Sequence, residues 1–397
     1  MADSIFDKTL KQHHRIEQRA NQLAEDMAAI LEASQERIVS KLAELEALMI
    51  QGAFDEETAS RRKALLQAQR REVEKVLEEV YASMEQPLKE AGSDVMAYTA
   101  SQTATMLAPI VGISVSEPRL ETSVVEKWFE MSSVEGLLIN EWLAKLEANA
   151  ADRIIAAGRQ AMVEAMPIGQ TVRFMRKQGI QGSIPALEGL ARTFCQSAAH
   201  YAKEQIIEQQ FGDFTTGWQY VATLDSRTCP VCGVDDLKIY KRGEDKPELP
   251  RHWRCRCVYV PRCKYSEAYD KIYDKPFNIS QDEFNDVFGK DKPLKHKLNA
   301  DELNEIYKNG TRPTVYHNKR TVHHRDGSTS TDFSVDKVTF VRQSTSYQEW
   351  MQRQLKDDPA FVRSVLGKTR FELFKSGRLT LKQMTAHGKL KRLADLL

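Results

Sequence analysis

The chain has 397 residues, 41% of them hydrophobic and 28% charged, enough material for two or three folding units. Its 57 basic and 56 acidic side chains nearly cancel, which excludes a chain drawn to nucleic acid or membrane by overall charge. The N-terminal MADSIFDKTLKQHHRIEQ lacks the apolar core of a secretory signal, and no stretch reaches the ~18 apolar residues of a membrane span, so a soluble globular protein is expected.

Apolar residues first recur at three- and four-residue steps from about Asn21 to Ile50, through Leu23, Met27, Ile30, Leu31, Ile38, Leu42, Leu45 and Met49. This spacing predicts an amphipathic helix stopped by Gln51-Gly52. A second helix is expected from Asp55, which can cap the first amides, with Leu66, Val73, Val76, Leu77, Val80 and Met84 on one stripe and Pro87 kinking or ending it. The pair predicts a helical hairpin or short coiled coil over residues 1–110. Its acidic arm (Glu25, Asp26, Glu32, Glu36, Glu44, Glu46) reads as a solvated face, or as a docking surface for a partner helix or sister subunit.

VVEKWFEM, LLINEWLAKLEANAADRIIAAG and ALEGLARTFCQSAAHYAKEQIIEQQ keep helical spacing, punctuated at Gly169 and in QGIQGSIP. A helical body is expected over residues 111–212, with Cys195 as a buried structural thiol. The texture then changes: WQYVATLD is β-branched and aromatic and reads as a strand. It opens a turn-rich module over residues 213–265. Residues 266–344 are polar and predicted irregular, with a small β-hairpin turning at Asp326-Gly327. Residues 345–397 return to helical rhythm, with starts at Thr345 or Ser346, Asp358-Pro359 and Thr380 and stops at Gly367, Gly377 and Gly388. The predicted class is mainly α: a helical hairpin and body, a small β-containing metal module and a helical C-terminal tail.

Five of the six cysteines lie between Cys229 and Cys263, a clustering that favours a metal over a disulfide scaffold. TCPVCG gives Cys229 and Cys232 the gap at which a tight turn aims two sulfurs at one ion. About twenty residues on, RHWRCRC supplies His252, Cys255 and Cys257. The expected ligands of one structural Zn2+ are Cys229, Cys232, His252 and either Cys255 or Cys257, with Cys263 a weaker spare. A thioredoxin-type CxxC would not need the second cluster, and paired disulfides would need an oxidising compartment.

Together, ATLDSRTCPVCGVDDLKIY and LPRHWRCRC resemble the signature of the phage Mu F-like, or head-morphogenesis, family of minor head proteins of tailed bacteriophages. That signature reads Asp-Ser-Arg-Thr-Cys-x-x-Cys, then Leu-Asp-Gly, then His-Pro-x-Cys-Arg-Cys. Asp225, Ser226, Arg227, Thr228, Cys229 and Cys232 match its first part, and His252, Cys255, Arg256 and Cys257 its last. Asp236-Leu237 stands where the family has Asp-Gly, and Trp253 where it has Pro. The tail segments SYQEWMQRQ and LGKTRFELFKSGRLTL also resemble the end of such proteins, so the likeness covers roughly 125–265 and 345–397. It implies a minor component of the virion head near the portal vertex, present in the host cytoplasm during assembly and in several copies. It further implies portal protein and other head proteins as partners, and a role in head morphogenesis and in DNA packaging or delivery.

Residues Lys337–Leu397 hold thirteen basic side chains against five acidic, a net charge of +8. Arg370, Lys375 and Arg378 there, with Arg251, Arg254 and Arg256 beside the cysteines, are candidate contacts to DNA phosphates. The plainer reading is a solvated face or a patch for an acidic partner such as the portal. His324-Arg325-Asp326 resembles a kinase HRD without the accompanying glycine loop, and no Walker loop or GxSxG elbow is present. No enzyme is expected; a zinc-stabilised nucleic-acid-binding protein or nuclease is the alternative.

Overall fold

The computed structural model describes residues 5–34, 37–38, 40–41, 58–111, 120–131, 136–164, 166, 168–263, 311–323, 329–386 and 388–396. The fold is mainly α, with small sheets and a Cys/His cluster. Its helices in chain order are α1 (Ile5–Ala33), α2 (Thr58–Ser83), α3 (Glu85–Val111), α4 (Thr122–Met131), α5 (Ile139–Val163), α6 (Ile168–Met175) and α7 (Gly182–Ile206). The expected stop at Gln51-Gly52 and the residues from Leu42 to Met49 lie outside the described residues.

Tertiary contacts divide the chain into two compact units, each built from segments distant in sequence. One unit, Ile16–Ala97 with Leu120–Ala199, is helical. Leu23, Met27 and Leu31 on α1, Val73 and Leu77 on α2, Ile154 on α5 and Phe194 on α7 are at most 1% exposed, so the three- and four-residue spacing marks the buried face. Trp128 and Phe194 stack with centroids 5.2 Å apart. Pro87 falls in the first turn of α3, where its missing N–H costs no helical bond, and so marks a boundary between helices. Among its described residues, the region expected as a hairpin therefore holds α1, α2 and α3. QGIQGSIP does not break the body either: residues Arg176–Gln181 form a π-helical segment running directly into α7. Cys195 is fully buried there, and burial pushes its thiol up to about 12.

The other unit comprises Met1–Arg15, Tyr98–Arg119 and His200–Leu397. Helix α1 begins at Ile5, well before Asn21, because its first turns bury polar side chains that a search for apolar periodicity misses. Asp7, Thr9, Lys11, Gln12 and Arg15 are all at most 4% exposed. Gln12 donates to the Thr99 carbonyl at 3.2 Å and to Thr103 Oγ1 at 3.3 Å.

Past a π-helical turn (Ile207–Phe211), β1 (Thr215–Val221) is the centre of a three-stranded antiparallel sheet between β3 (Ile239–Lys241) and β4 (Val258–Cys263). The expected strand in WQYVATLD is therefore present, with β2 (Leu224–Asp225) following it. Tyr220, Trp218 and Tyr240 all pack edge-on against Tyr259. Strand β2 pairs in parallel with β5 (Thr311–His323), which pairs with β6 (Thr329–Arg342). This hairpin has strands of 13 and 14 residues, far longer than expected, and Asp326-Gly327 lies outside the described residues.

The C-terminal segment contains α9 (Tyr347–Asp357), α10 (Pro359–Leu366) and α11 (Lys368–Lys375). Ser346 and Glu349 form a capping box at α9, and Asp358 caps α10 by accepting from the Phe361 amide. Tyr347, Trp350, Met351, Val362, Phe371 and Phe374 form its apolar core. LTLKQM makes a capped turn at Thr380, not a helix, and leads to the short hairpin β7 (Thr385–Ala386) and β8 (Lys389–Leu390). Among the described residues no helix is long and apolar enough to cross a membrane.

Candidate metal centre

The first half-site begins with a turn stabilised by its own side chains. The Asp225 carboxylate accepts from the backbone amides of Arg227 and Thr228, both at 3.0 Å, which folds DSRT into an Asx turn. Cys229 is the N-cap of the single-turn helix α8 (Pro230–Val234), and its sulfur accepts from the Cys232 amide at 3.4 Å. Pro230 at the first helical position suits a turn that needs no donor there. The CPVC sequence thereby brings Sγ of Cys229 and Cys232 to one side.

The second half-site folds toward the first. His252 Nε2 lies 3.2 Å from Cys229 Sγ and 3.1 Å from Cys232 Sγ. Its Nδ1 faces the Trp253 carbonyl at 2.9 Å, and a carbonyl can only accept, so Nδ1 carries a proton. In the neutral imidazole this leaves Nε2 with the free lone pair that a metal requires. Cys255 and Cys257 lie just before β4, and both sulfurs approach Cys232. His200 Nε2 holds that segment from behind, 3.0 Å from the Cys257 carbonyl.

The donors form two groups that share Cys232: Cys229, Cys232 and His252, and Cys232, Cys255 and Cys257. Within each group the donor atoms lie within 4.8 Å of one another, so the cluster could hold a metal ion. All five residues expected from the sequence are brought together, and both Cys255 and Cys257 stay within reach. Cys263 is left out; it ends β4 as a buried thiol that burial raises to about 11.

The electrostatics of the cluster suit a cation. A hydrogen bond with Cys232 pulls the Cys229 thiol down to about 4, and His252 stabilises the thiolate further. Hydrogen bonds with Cys232 and Cys257 hold Cys255 well below the usual thiol range, while burial drives Cys257 above it. His252 is raised to about 9, chiefly by its hydrogen bond with Cys229. The shifts favour thiolates at Cys229 and Cys255 and protonated thiols at Cys232 and Cys257, so a bound ion would replace protons on His252 and on these two thiols.

A polar network surrounds these donors. Arg256, between the two cysteines of RCRC, is bidentate to the buried Asp225, with Nη2 at 2.7 Å from Oδ1. Arg251 donates to Asp235 at 2.6 Å. These two arginines, expected as phosphate contacts, instead hold the module together; Arg254 is exposed, with a left-handed φ of 61°. Asp236 is buried and accepts from Arg312, whose Nη1 is 2.9 Å away, and from the Ala222 and Tyr347 amides at 2.8 and 2.7 Å. Tyr347 in turn donates its hydroxyl to the Thr228 carbonyl at 3.0 Å. A Cβ on Gly233 would collide with the Tyr347 ring, so glycine there lets α9 close on the Cys229–Cys232 turn.

Asp236, Arg312, Tyr347 and His200 had no role in the sequence reading. Each has a partner 57 to 122 residues away along the chain, and local spacing does not reveal such pairs. Comparison with protein-family models, with curated proteins and with solved structures gives no match.

Proposed function

We propose that the cluster holds one structural zinc ion and that the chain is a non-enzymatic minor head protein of a tailed bacteriophage. In this reading the protein sits near the portal vertex, assembles with portal and other head proteins, and assists head morphogenesis and DNA packaging or delivery. For the metal, sulfur and imidazole donors select zinc over hard cations, and four such donors around one ion stand roughly 3.5–4 Å apart. The five side chains of the cluster match that chemistry, in two groups of three donors that share Cys232 and, within each group, lie within 4.8 Å of one another. Bound there, zinc would cross-link the turn after Asp225 to the loop that leads into β4. Four protein donors would fill its tetrahedral shell and leave no position for substrate, which favours a scaffold over a catalyst.

The observation that carries the virion reading is the motif itself. In DSRTCPVC and HWRCRC, three residues that are not metal donors have interlocking structural roles: Asp225 shapes the turn, Thr228 donates back to the Thr223 carbonyl at 2.6 Å, and Arg256 clamps Asp225. The resemblance to the head-morphogenesis signature thus extends to residues that the fold requires together. Leu237, in place of the family glycine, adopts φ 65°, the left-handed conformation that favours glycine at that point. The test is co-purification. The tagged chain, expressed with the phage that encodes it, should sediment with DNA-filled heads and cross-link to the portal ring. Its absence from purified heads, or a Mg2+-dependent nuclease activity that vanishes with Cys232→Ser, would overturn the reading.

A further inference from the structure

Cations in the second unit are used in two ways. In and beside the metal module they meet carboxylates: Arg242 with Glu208 at 2.7 Å, Arg251 with Asp235 at 2.6 Å, Arg256 with Asp225, and Arg312 with Asp236 at 2.9 Å. After Ser346, among the described residues, such pairing is confined to exposed Arg392 with Asp395 at 3.2 Å. Arg353, Lys356, Arg363, Lys368, Arg378 and Lys382 are exposed and, among the described residues, pair with no carboxylate. Lys375 is also exposed, and its ammonium lies over the Phe371 ring, 5.7 Å from the centroid.

We propose that this C-terminal segment binds the phosphate backbone of duplex nucleic acid without reading its sequence. The cations sit on a fixed scaffold of capped helices packed on an apolar core, so little conformational freedom is lost on binding. Lys368 and Lys375 are two turns apart on α11 and share a face. Two features distinguish the ligand. Tyr347, Trp350, Phe361, Phe371 and Phe374 are all inside the core, which leaves no aromatic platform of the kind that single-strand binding uses. Among the described residues of the segment the exposed large apolar side chains are Leu390 and Leu393, each 39% exposed, and a lysine-rich surface without an aromatic centre is a poor protein interface. Phosphates need neither.

The inference does not rest on the virion reading, and fluorescence anisotropy on the full chain tests it separately. Two labelled duplexes of unrelated sequence should bind with equal affinity. With four or more phosphates neutralised, affinity should fall about a hundredfold or more between 50 and 200 mM salt. The triple variant Lys368→Glu, Lys375→Glu, Arg378→Glu should lose at least tenfold in affinity at low salt and show a shallower salt slope. The triple Lys127→Glu, Lys145→Glu, Arg159→Glu makes the same charge change on exposed positions of the helical unit and should bind like the parent. Equal metal content in all three proteins serves as the folding control. The proposal is overturned by no binding at low salt, by equal losses in both triples, by tighter binding of single strands, or by capture of polyglutamate in preference to duplex.

Discussion

The metal module and the C-terminal segment are neighbours in one compact unit, yet they are held together by different forces. The segment after Ser346 buries Tyr347, Trp350, Met351, Val362, Leu366, Phe371 and Phe374 in a common apolar core and leaves its charges outside. The module between Thr215 and Cys263 has an aromatic sheet, but its loops are organised by sulfur, imidazole and buried ion pairs. Arg251 and Arg256 of the module are therefore structural struts, whereas Arg353, Arg363 and Arg378 in the segment are surface charges. Half-buried Arg370, also expected as a phosphate contact, instead donates to the Lys391 carbonyl at 2.8 Å. Net charge along the sequence does not distinguish the two; partner geometry does.

The difference predicts where the molecule breaks. Replacing Cys232, the donor common to both groups, should abolish metal retention and melt the module, since structural zinc contributes an apparent ~10–16 kcal/mol at neutral pH. Cys263→Ser, outside the cluster, should keep the metal. Thermal melts with metal analysis compare the two, and equal behaviour would erase the distinction. Next in size is the buried pair. Asp236→Ala strands Arg312, whose side chain is 2% exposed, and should cost about 3–5 kcal/mol in urea unfolding. In the C-terminal segment, Glu349→Ala removes half of an exposed capping box and should cost only about 1 kcal/mol.

A fourth prediction concerns pH. Burial lowers Lys203 to about 7 from its usual 10.5. Its folded pKa is depressed, so between pH 7 and 10.5 the unfolded chain binds the extra proton and stability rises with pH. Below that window the burial penalty is complete. Lys203→Met should accordingly stabilise the protein at pH 7, and the advantage should shrink toward pH 10.5. A gain independent of pH would contradict this assignment. The smallest expected effect is at Leu237, where φ is 65°. Leu237→Gly should relieve backbone strain and shift stability by about 1 kcal/mol or less, read in the same urea titration.

The donors of the candidate site were legible in the sequence because CxxC and HxxCxC are local patterns whose spacing reflects ligand geometry. The same holds for the helices whose buried face is apolar, and for the caps at Ser346 and Asp358. What escaped was nonlocal or polar. Asp236 meets Arg312 76 residues away and the Tyr347 amide 111 away, and nothing near any of the three announces it. The first turns of α1 bury Asp7, Lys11, Gln12 and Arg15, so their side chains carry the opposite of the expected hydropathy signal. Arg251 and Arg256 looked like phosphate ligands because composition counts their charge and not Asp235 and Asp225 opposite them.

The central claim is that one zinc ion holds the two half-sites together. Native mass spectrometry of protein purified without chelator, paired with elemental analysis, tests it most directly. The account predicts one zinc per chain in the parent protein and none in Cys232→Ser. A parent chain that folds, melts cooperatively and carries no metal would contradict it.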